Sequence, residues 1–316
     1  MLIFTAKRVL SGLIVLLVAS VVIFFILRLA PGDPAAALAG ADADQATIDA
    51  IRTRLGLDLP LWQQYASWLG GILTGNLGDS FILSAPIAEL IGDSLPNTVF
   101  LAGGALLLAL VGGAVVGIVL GVSRRRAVNS VFTAANSVAF AVPPYVTGVF
   151  LTLVFSIYLG VLPSGGVGPG LGDPVGAIPY LLLPAVTLAL PTGATIARFL
   201  AASMRRQREE DFVQAGIAKG LTTTTLFARH VIPNSLPPVL TVLGIQIGQL
   251  LAGAIIVEVV FAWPGVGQLI LQSVITRDYL LTQVLLLLAV AVFVVMQTLT
   301  DLADAALDPR VRMGIR

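Results

Sequence analysis

Uncharged apolar runs long enough to cross a bilayer dominate this chain, and they leave few folds open to it. Val9 to Leu27 holds 19 residues without a charge. At about 1.5 Å per residue, such a helix crosses the roughly 30 Å of bilayer hydrocarbon. Further spans are expected at about Asn97–Val122, Val131–Leu159, Tyr180–Ala202, Leu236–Val260 and Leu281–Ala303. Only 11% of residues are charged and 57% are hydrophobic, against roughly 25% charged in a soluble domain. The fold class expected is therefore an all-α integral membrane protein of about six transmembrane helices, with no soluble catalytic domain.

Lys7 and Arg8 precede the first run, as they would in a secretory leader. The run is longer than the apolar core of a leader, and Arg28-Leu-Ala-Pro-Gly-Asp is a poor cleavage site. An uncleaved first helix is expected. The chain has no cysteine and a single histidine, which excludes disulfide and thiolate chemistry and leaves it poor in transition-metal ligands. No metal site is expected.

The connecting segments alternate in charge. With the N-terminus inside, Lys7, Arg8, Arg124–Arg126, Arg205, Arg206, Arg208, Lys219, Arg229, Arg310, Arg312 and Arg316 fall in the cytoplasm, thirteen of the eighteen basic residues. Arg28, Arg52, Arg54 and Arg277 fall outside, and Arg198 lies within a span. The positive-inside rule then gives six spans with both termini cytoplasmic.

The chain accordingly divides into four segments: residues 1–30 (tail and first helix), 31–96 (an external segment), 97–307 (five further helices with a cytoplasmic loop at 205–235) and 308–316 (a cytoplasmic tail). The external segment carries eight acids against two bases, about −6. Ile48, Ile51 and Leu55 recur at helical spacing ahead of Gly56, and Pro60 opens a second helix on which Trp62, Tyr65, Leu69 and Leu73 share a face. The segment is too long for a plain connector and is expected to form a small helical cap. The Gly/Pro-rich stretch Pro163–Ala177 reads as a mobile external loop, without the strand and helix that a nucleotide-binding glycine loop needs.

Gly113, Gly117 and Gly121 recur at helical spacing, as do Gly244 and Gly248. Small-residue stripes let helices approach closely in lipid. Two readings are open: packing within this chain, or a face for another membrane subunit.

The cytoplasmic loop is the most informative segment. A helix is expected over Glu209 to Lys219, left through Gly220 in a left-handed conformation. Thr222 can cap a second short helix through Leu226 and Arg229, which Pro233 interrupts. A topological link needs only a few residues, so about 30 in helix–turn–helix form suggests a docking surface, the other reading being a solvated loop.

Within this loop, Gln214-Ala215-Gly216, Gly220 and Ile232-Pro233 resemble the Glu-Ala-Ala, glycine and hydrophobic-Pro positions of the EAA loop of ABC-importer permeases. Glutamine for glutamate and glycine for the second alanine are departures, so no carboxylate role is expected at Gln214. More of the chain resembles the dipeptide/oligopeptide branch. The matching stretches are Leu29-Ala-Pro-Gly-Asp-Pro, Leu55-Gly-Leu-Asp-Leu-Pro, Gly75-Asn-Leu-Gly-Asp-Ser, Leu95-Pro-Asn-Thr, Val257-Glu-Val-Val-Phe-Ala-Trp-Pro-Gly-Val-Gly, Arg277-Asp-Tyr and Asp308-Pro-Arg-Val-Arg. The resemblance implies a second related permease, two ATPase subunits or a fused pair, an external substrate-binding protein, and residence in a bacterial or archaeal cytoplasmic membrane. It implies that Gln214, Ala215, Gly216, Gly220, Thr222, Leu226 and Phe227 couple to an ATPase. Peptides are the family's default substrate, with nickel chelates, glutathione and other small solutes among the alternatives. No nucleic-acid partner is implied.

A P-loop requires Gly-Lys-Ser/Thr to surround phosphates, and neither lysine, Lys7 nor Lys219, lies in that context. The chain is expected to hydrolyse no ATP and to hold no cofactor, with ATP and Mg in partner ATPases. A secondary transporter would show repeats and ionisable groups near the midplane, an intramembrane enzyme a constellation inside a span, and a structural subunit no helix–turn–helix loop. Arg198 and Glu258 are the ionisable residues placed within or at the rim of the middle spans. Arg198 either snorkels or lines a pathway, and Glu258, ahead of Phe261-Ala-Trp-Pro-Gly, is a candidate for the external gate.

Overall fold

A computed structural model of the chain describes residues 2–29, 34–39, 43–54, 56–80 and 82–307. The 308–316 tail, Leu55, and residues 30–33 within the Leu29–Pro34 motif lie outside the described residues. The elements in order are α1 (Leu2–Leu29), α2 (Pro34–Ala39), α3 (Gln45–Arg54), α4 (Leu61–Leu73), the strand pair β1 (Asp79–Ser80) and β2 (Ala85–Pro86), and α5 (Ile87–Val122). They continue with α6 (Arg126–Ala141), α7 (Pro144–Leu151), α8 (Pro174–Gln207), α9 (Asp211–Ala218), α10 (Thr223–Leu226), α11 (Ile232–Ser235), α12 (Pro237–Val260), α13 (Val266–Ile275) and α14 (Tyr279–Leu307). The described residues divide into two compact units, one of Thr98–Trp263 with the end of α14 from Met296, the other of Leu2–Asn97 with Pro264–Val295.

Among the described residues five helices are long and apolar enough to cross a membrane: Ile3–Leu29, Ile87–Val122, Pro174–Gln207, Pro237–Val260 and Tyr279–Ala303. The expected continuous span Val131–Leu159 is instead a bent pair, α6 and Pro144–Tyr158, set at 107°. The cause was legible in Pro143-Pro144. Neither proline can donate a backbone bond, and Val142 and Pro143 leave the helix with ψ of 125° and 142°. Pro144 then opens α7, where its missing N–H costs nothing. Beyond α7 the backbone widens into a π-helix over Thr152–Tyr158.

Packing within the first unit decides whether this pair crosses or re-enters. A Cβ on Gly113 would lie 2.7 Å from the Gly193 carbonyl oxygen, on Gly117 3.0 Å from that of Ala197, and on Gly121 2.8 Å from the Met204 sulfur. Partners that rise in step mean that α5 and α8 run parallel. At their shared C-terminal end, Arg205 donates to the Leu120 carbonyl at 3.3 Å and Arg208 to that of Gly121 at 3.0 Å. These guanidinium groups satisfy carbonyls that α5 leaves without intrahelical partners. Because α5 and α8 point the same way, the pair between them returns the chain to the other face. It is a broken span, and the count is six. The glycine stripe of α5 thus packs within this chain, and Gly244 packs on Thr300 in the same way.

The first span starts earlier than expected, at Leu2, and the second at Ile87. The fourth begins at Pro174 rather than near Tyr180. Asp173 caps it by accepting from the Gly176 N–H at 3.0 Å, and Pro174 occupies its first turn. The stretch Pro163–Ala177 is not the mobile loop expected. The Gly166 N–H donates to the Phe261 carbonyl at 2.9 Å, a Cβ on Gly165 would strike that same carbonyl, and Gly168 (φ +61°) lies against the Tyr180 ring.

The segment between the first two spans is helical, as expected. Asp44 caps α3 through the Thr47 N–H at 3.0 Å, and bonds from Thr47 hold its carboxyl below the ordinary aspartate value. Gly56 follows α3 at φ +63°. On α4 the inward face differs from the one expected, since Trp62 and Leu73 are exposed. Tyr65 and Trp68 pack on Phe24 with ring centroids 5.3 and 5.8 Å away, and the Tyr65 hydroxyl lies 2.8 Å from that of Ser20. Arg28 places its guanidinium 4.0 Å over the Phe24 ring and also bonds Gln64. In the same unit buried Asp278 caps α14 through the Leu281 N–H (3.1 Å) and accepts from the Ser80 hydroxyl of β1 (2.5 Å). That carboxylate ties the β1–β2 hairpin to the corner between α13 and α14.

Candidate functional site: the loop after the fourth span

The chain leaves α8 at Gln207 and enters α9 at Asp211. At the end of α9 the Gly220 N–H reaches the Ile217 carbonyl at 2.9 Å and the Leu221 N–H reaches that of Gly216 at 3.1 Å. This paired closure needs a left-handed residue, and Gly220 has φ +78°. Thr222 then caps α10, its hydroxyl accepting from the Thr225 N–H at 3.3 Å. Pro233 does not interrupt the second helix, contrary to expectation. A π turn over Phe227–Val231, in which the Ile232 N–H reaches the Phe227 carbonyl, carries the helix into α11 across a residue that has no N–H.

The seven expected coupling residues separate into two groups. Gln214, Ala215, Gly220 and Thr222 are exposed, together with Ile217 and Leu221. Gly216 and Leu226 are buried, and Phe227 is half-buried with Arg208 5.5 Å over its ring. A Cβ on Gly216 would lie 2.7 Å from Leu226 Cδ1. Gly216 and Leu226 therefore hold the two short helices together, while the exposed set forms the outer surface. The sequence could not separate them, because helical spacing does not say which face a neighbour covers.

Arg198 is exposed on α8, nine residues before its end, with its guanidinium 4.1 Å over the Phe140 ring of α6. Nearby, the Asn136 side chain donates to the Ala194 carbonyl at 3.0 Å. No sequence signal pointed to Phe140 or Asn136. Glu258 lies in the last turn of α12 and is enclosed there: it is 0% exposed, beside Phe261 and Trp263 at 1% and 0%. Its own carbonyl accepts from the Trp263 N–H at 2.8 Å and that of Val259 from the Ala262 N–H, closing α12 through Ala262 at φ +47°. Trp263 stacks on Phe100 at 6.3 Å between ring centroids.

Six apolar spans and a folded helix–turn–helix between two of them define a multi-pass membrane subunit, and comparison with known proteins gives its kind. Residues 113–313 match the binding-protein-dependent transport system inner membrane component, and residues 1–102 match the N-terminal region of such membrane components. The chain belongs to this family of transport-system permeases. It is 34% identical over 314 residues to the glutathione transport system permease protein GsiC of Escherichia coli (strain K12), covering 99% of each chain. A provisionally assigned peptide transport system permease of Brucella abortus (strain 2308) is 35% identical over 310 residues, with 97% of this chain and 98% of that one covered. A chain of the MetNI methionine ABC transporter, solved in inward-facing conformations, shares the fold with a TM-score of 0.59 at 19% identity, covering 71% of this chain and 98% of that one. The protein is thus the membrane-spanning permease subunit of an ABC importer, a transport component rather than an enzyme, and works with ATPase and substrate-binding components.

Proposed function

We propose that this permease forms half of a passage for peptides or similar small solutes, glutathione among them, beside a second related permease. Two ATPase subunits, or a fused pair, hydrolyse ATP with Mg from the cytoplasm, and an external binding protein delivers solute. The observation that carries this reading is the self-supporting loop of α9 and α10. Its internal contacts through Gly216 and Leu226 leave Gln214, Ala215, Gly220, Thr222, Ile217 and Leu221 outward. A rigid turn with an exposed surface transmits motion from a docked ATPase into α8 and α12, which flank it. The curated relatives, matched over nearly the whole chain, support a peptide-like solute. Leu226, Phe227 and Gly216 serve the coupling contact by fixing its shape.

Both termini are cytoplasmic on this reading, and the absence of cysteine makes the test clean. On this reading Ser84, exposed beside the β1–β2 hairpin, is external, and Thr223, exposed at the start of α10, is cytoplasmic. Ser84→Cys should react with an impermeant thiol reagent added outside, and Thr223→Cys only after the membrane is opened. The reverse pattern would invert the orientation.

The function itself is tested by reconstituting the permease with its partner subunits and measuring ATP-dependent uptake of labelled glutathione and a labelled dipeptide. Uptake of neither would sink the substrate assignment. In the same assay Glu258→Gln, which keeps the shape but removes the carboxylate, should lower uptake while the complex still assembles. Glu258 serves the outer gate through the buried corner that it shares with Phe261 and Trp263. Normal uptake by that variant would leave it a packing residue alone.

A further inference from the structure

We propose that Arg198 lines the passage at mid-depth and holds a carboxylate of the solute in transit. This inference rests on the permease reading above and names the chemistry of one point along the passage. Three observations within the first unit carry it. Arg198 lies seven residues from Arg205, whose guanidinium binds a carbonyl at the C-terminal end of α5. Seven residues are about 10 Å of helix rise.

Direction is the second observation. Side chains on a helix lean toward its N-terminus, and the N-terminus of α8 is at the face opposite the Arg205–Arg208 cluster. Arg198 accordingly reaches away from the nearer interface. Its guanidinium settles over Phe140, fourteen residues and about 21 Å of helix rise beyond Arg126 at the start of α6. A snorkelling arginine would turn the other way. The group is thereby held near the middle of the roughly 30 Å of hydrocarbon, where facing lipid costs ~2.5–3.5 kcal/mol or more.

The third observation is what the guanidinium leaves unused. Among the described residues it makes no hydrogen bond or ion pair, and the Phe140 ring engages its charge without occupying its donors. Five N–H donors in a fixed plane suit a carboxylate, which they grip in bidentate fashion. A fixed cation at mid-depth on an exposed face, with its donors open, fits a water-filled passage carrying anionic solutes. Peptides and glutathione all end in a carboxylate. A lipid phosphate would have to leave the headgroup layer to reach it.

The test uses the assembled transporter in proteoliposomes, with labelled glutathione and a labelled dipeptide as solutes. Arg198→Cys should cut uptake at least tenfold while assembly and binding-protein affinity stay unchanged, and Arg198→Lys should retain much of it. A water-soluble cationic methanethiosulfonate reagent should modify the introduced thiol and restore uptake. The anionic reagent of similar size should modify it without restoring uptake, and solute should slow both reactions. The unsubstituted complex treated with each reagent is the control. A thiol that neither reagent reaches would mean that Arg198 faces lipid or an acid of the partner permease, and would overturn the proposal. Equal recovery with both reagents, or full uptake by Arg198→Cys, would also overturn it. Failure of the unsubstituted complex to transport would count against the permease reading instead, so the two failures are distinguishable.

Discussion

Gly216→Val should uncouple transport from ATP hydrolysis, and should do so more severely than Gly220→Val. A Cβ at Gly216 already lies 2.7 Å from Leu226 Cδ1 and 3.4 Å from Leu221 Cδ1. Both are ends of flexible side chains, so Gly216→Ala is accommodated by a small rotation and regains up to about 1 kcal/mol of helix propensity. Alanine is also what the EAA pattern has at this position. The two γ-methyls of valine need space that Leu226, 4% exposed, cannot yield without separating α9 from α10. Overpacking of this kind costs about 1–3 kcal/mol, and ~1.4 kcal/mol is already tenfold in an equilibrium. Retained ATPase on purification and uptake should each fall at least tenfold, with the six spans still inserted. Gly220→Val meets nothing within 4 Å, so its penalty is the strain of a left-handed residue, about 1–2 kcal/mol. Gly172→Val is the proper control, because Gly172 has open space and no positive φ. Gly168 is unsuitable, since a side chain there would meet the Tyr180 ring. Full coupling in Gly216→Val would mean that this loop does not transmit the motion.

Gly113→Leu should prevent a stable permease from accumulating at all. A Cβ there would lie 2.7 Å from the Gly193 carbonyl oxygen and 2.9 Å from Ile196 Cβ. Neither atom can move aside, because one is backbone and the other is fixed to it. The two parallel helices would have to part, and association in lipid rests on packing of this closeness. The loss should exceed the usual 1–3 kcal/mol for overpacking, since leucine adds three carbons beyond the Cβ. Gly112→Leu, one residue away and open to its surroundings, should be harmless. Membrane content after detergent extraction and size exclusion separates the two. Equal yields would show that the α5–α8 seam is not what holds this unit together.

Local rules carried much of this protein. Spans are readable because every backbone group in hydrocarbon must be paired within its own helix, so their existence depends on composition along one stretch. The Gly220 turn and the Thr222 cap were readable for the same reason, each being settled by residues three or four apart. Asp173-Pro174 and Pro143-Pro144 were equally local, and the misplaced start of the fourth span and the missed break in the third came from giving hydropathy precedence over them. The remainder depended on contacts between residues far apart in the chain. Gly216 against Leu226, Gly113 against Gly193, the enclosure of Glu258 and the direction of Arg198 toward Phe140 all require knowing which helix lies beside which, and at what height. Side-chain periodicity marks a face without saying what covers it. In a membrane the ambiguity is greater, because lipid-facing and helix-facing surfaces are both apolar. By itself the sequence determined the six crossings and the shape of the turn at Gly220. Only the tertiary structure decided which small residues are seams and which charged ones are enclosed, since those outcomes are set by close packing between distant segments.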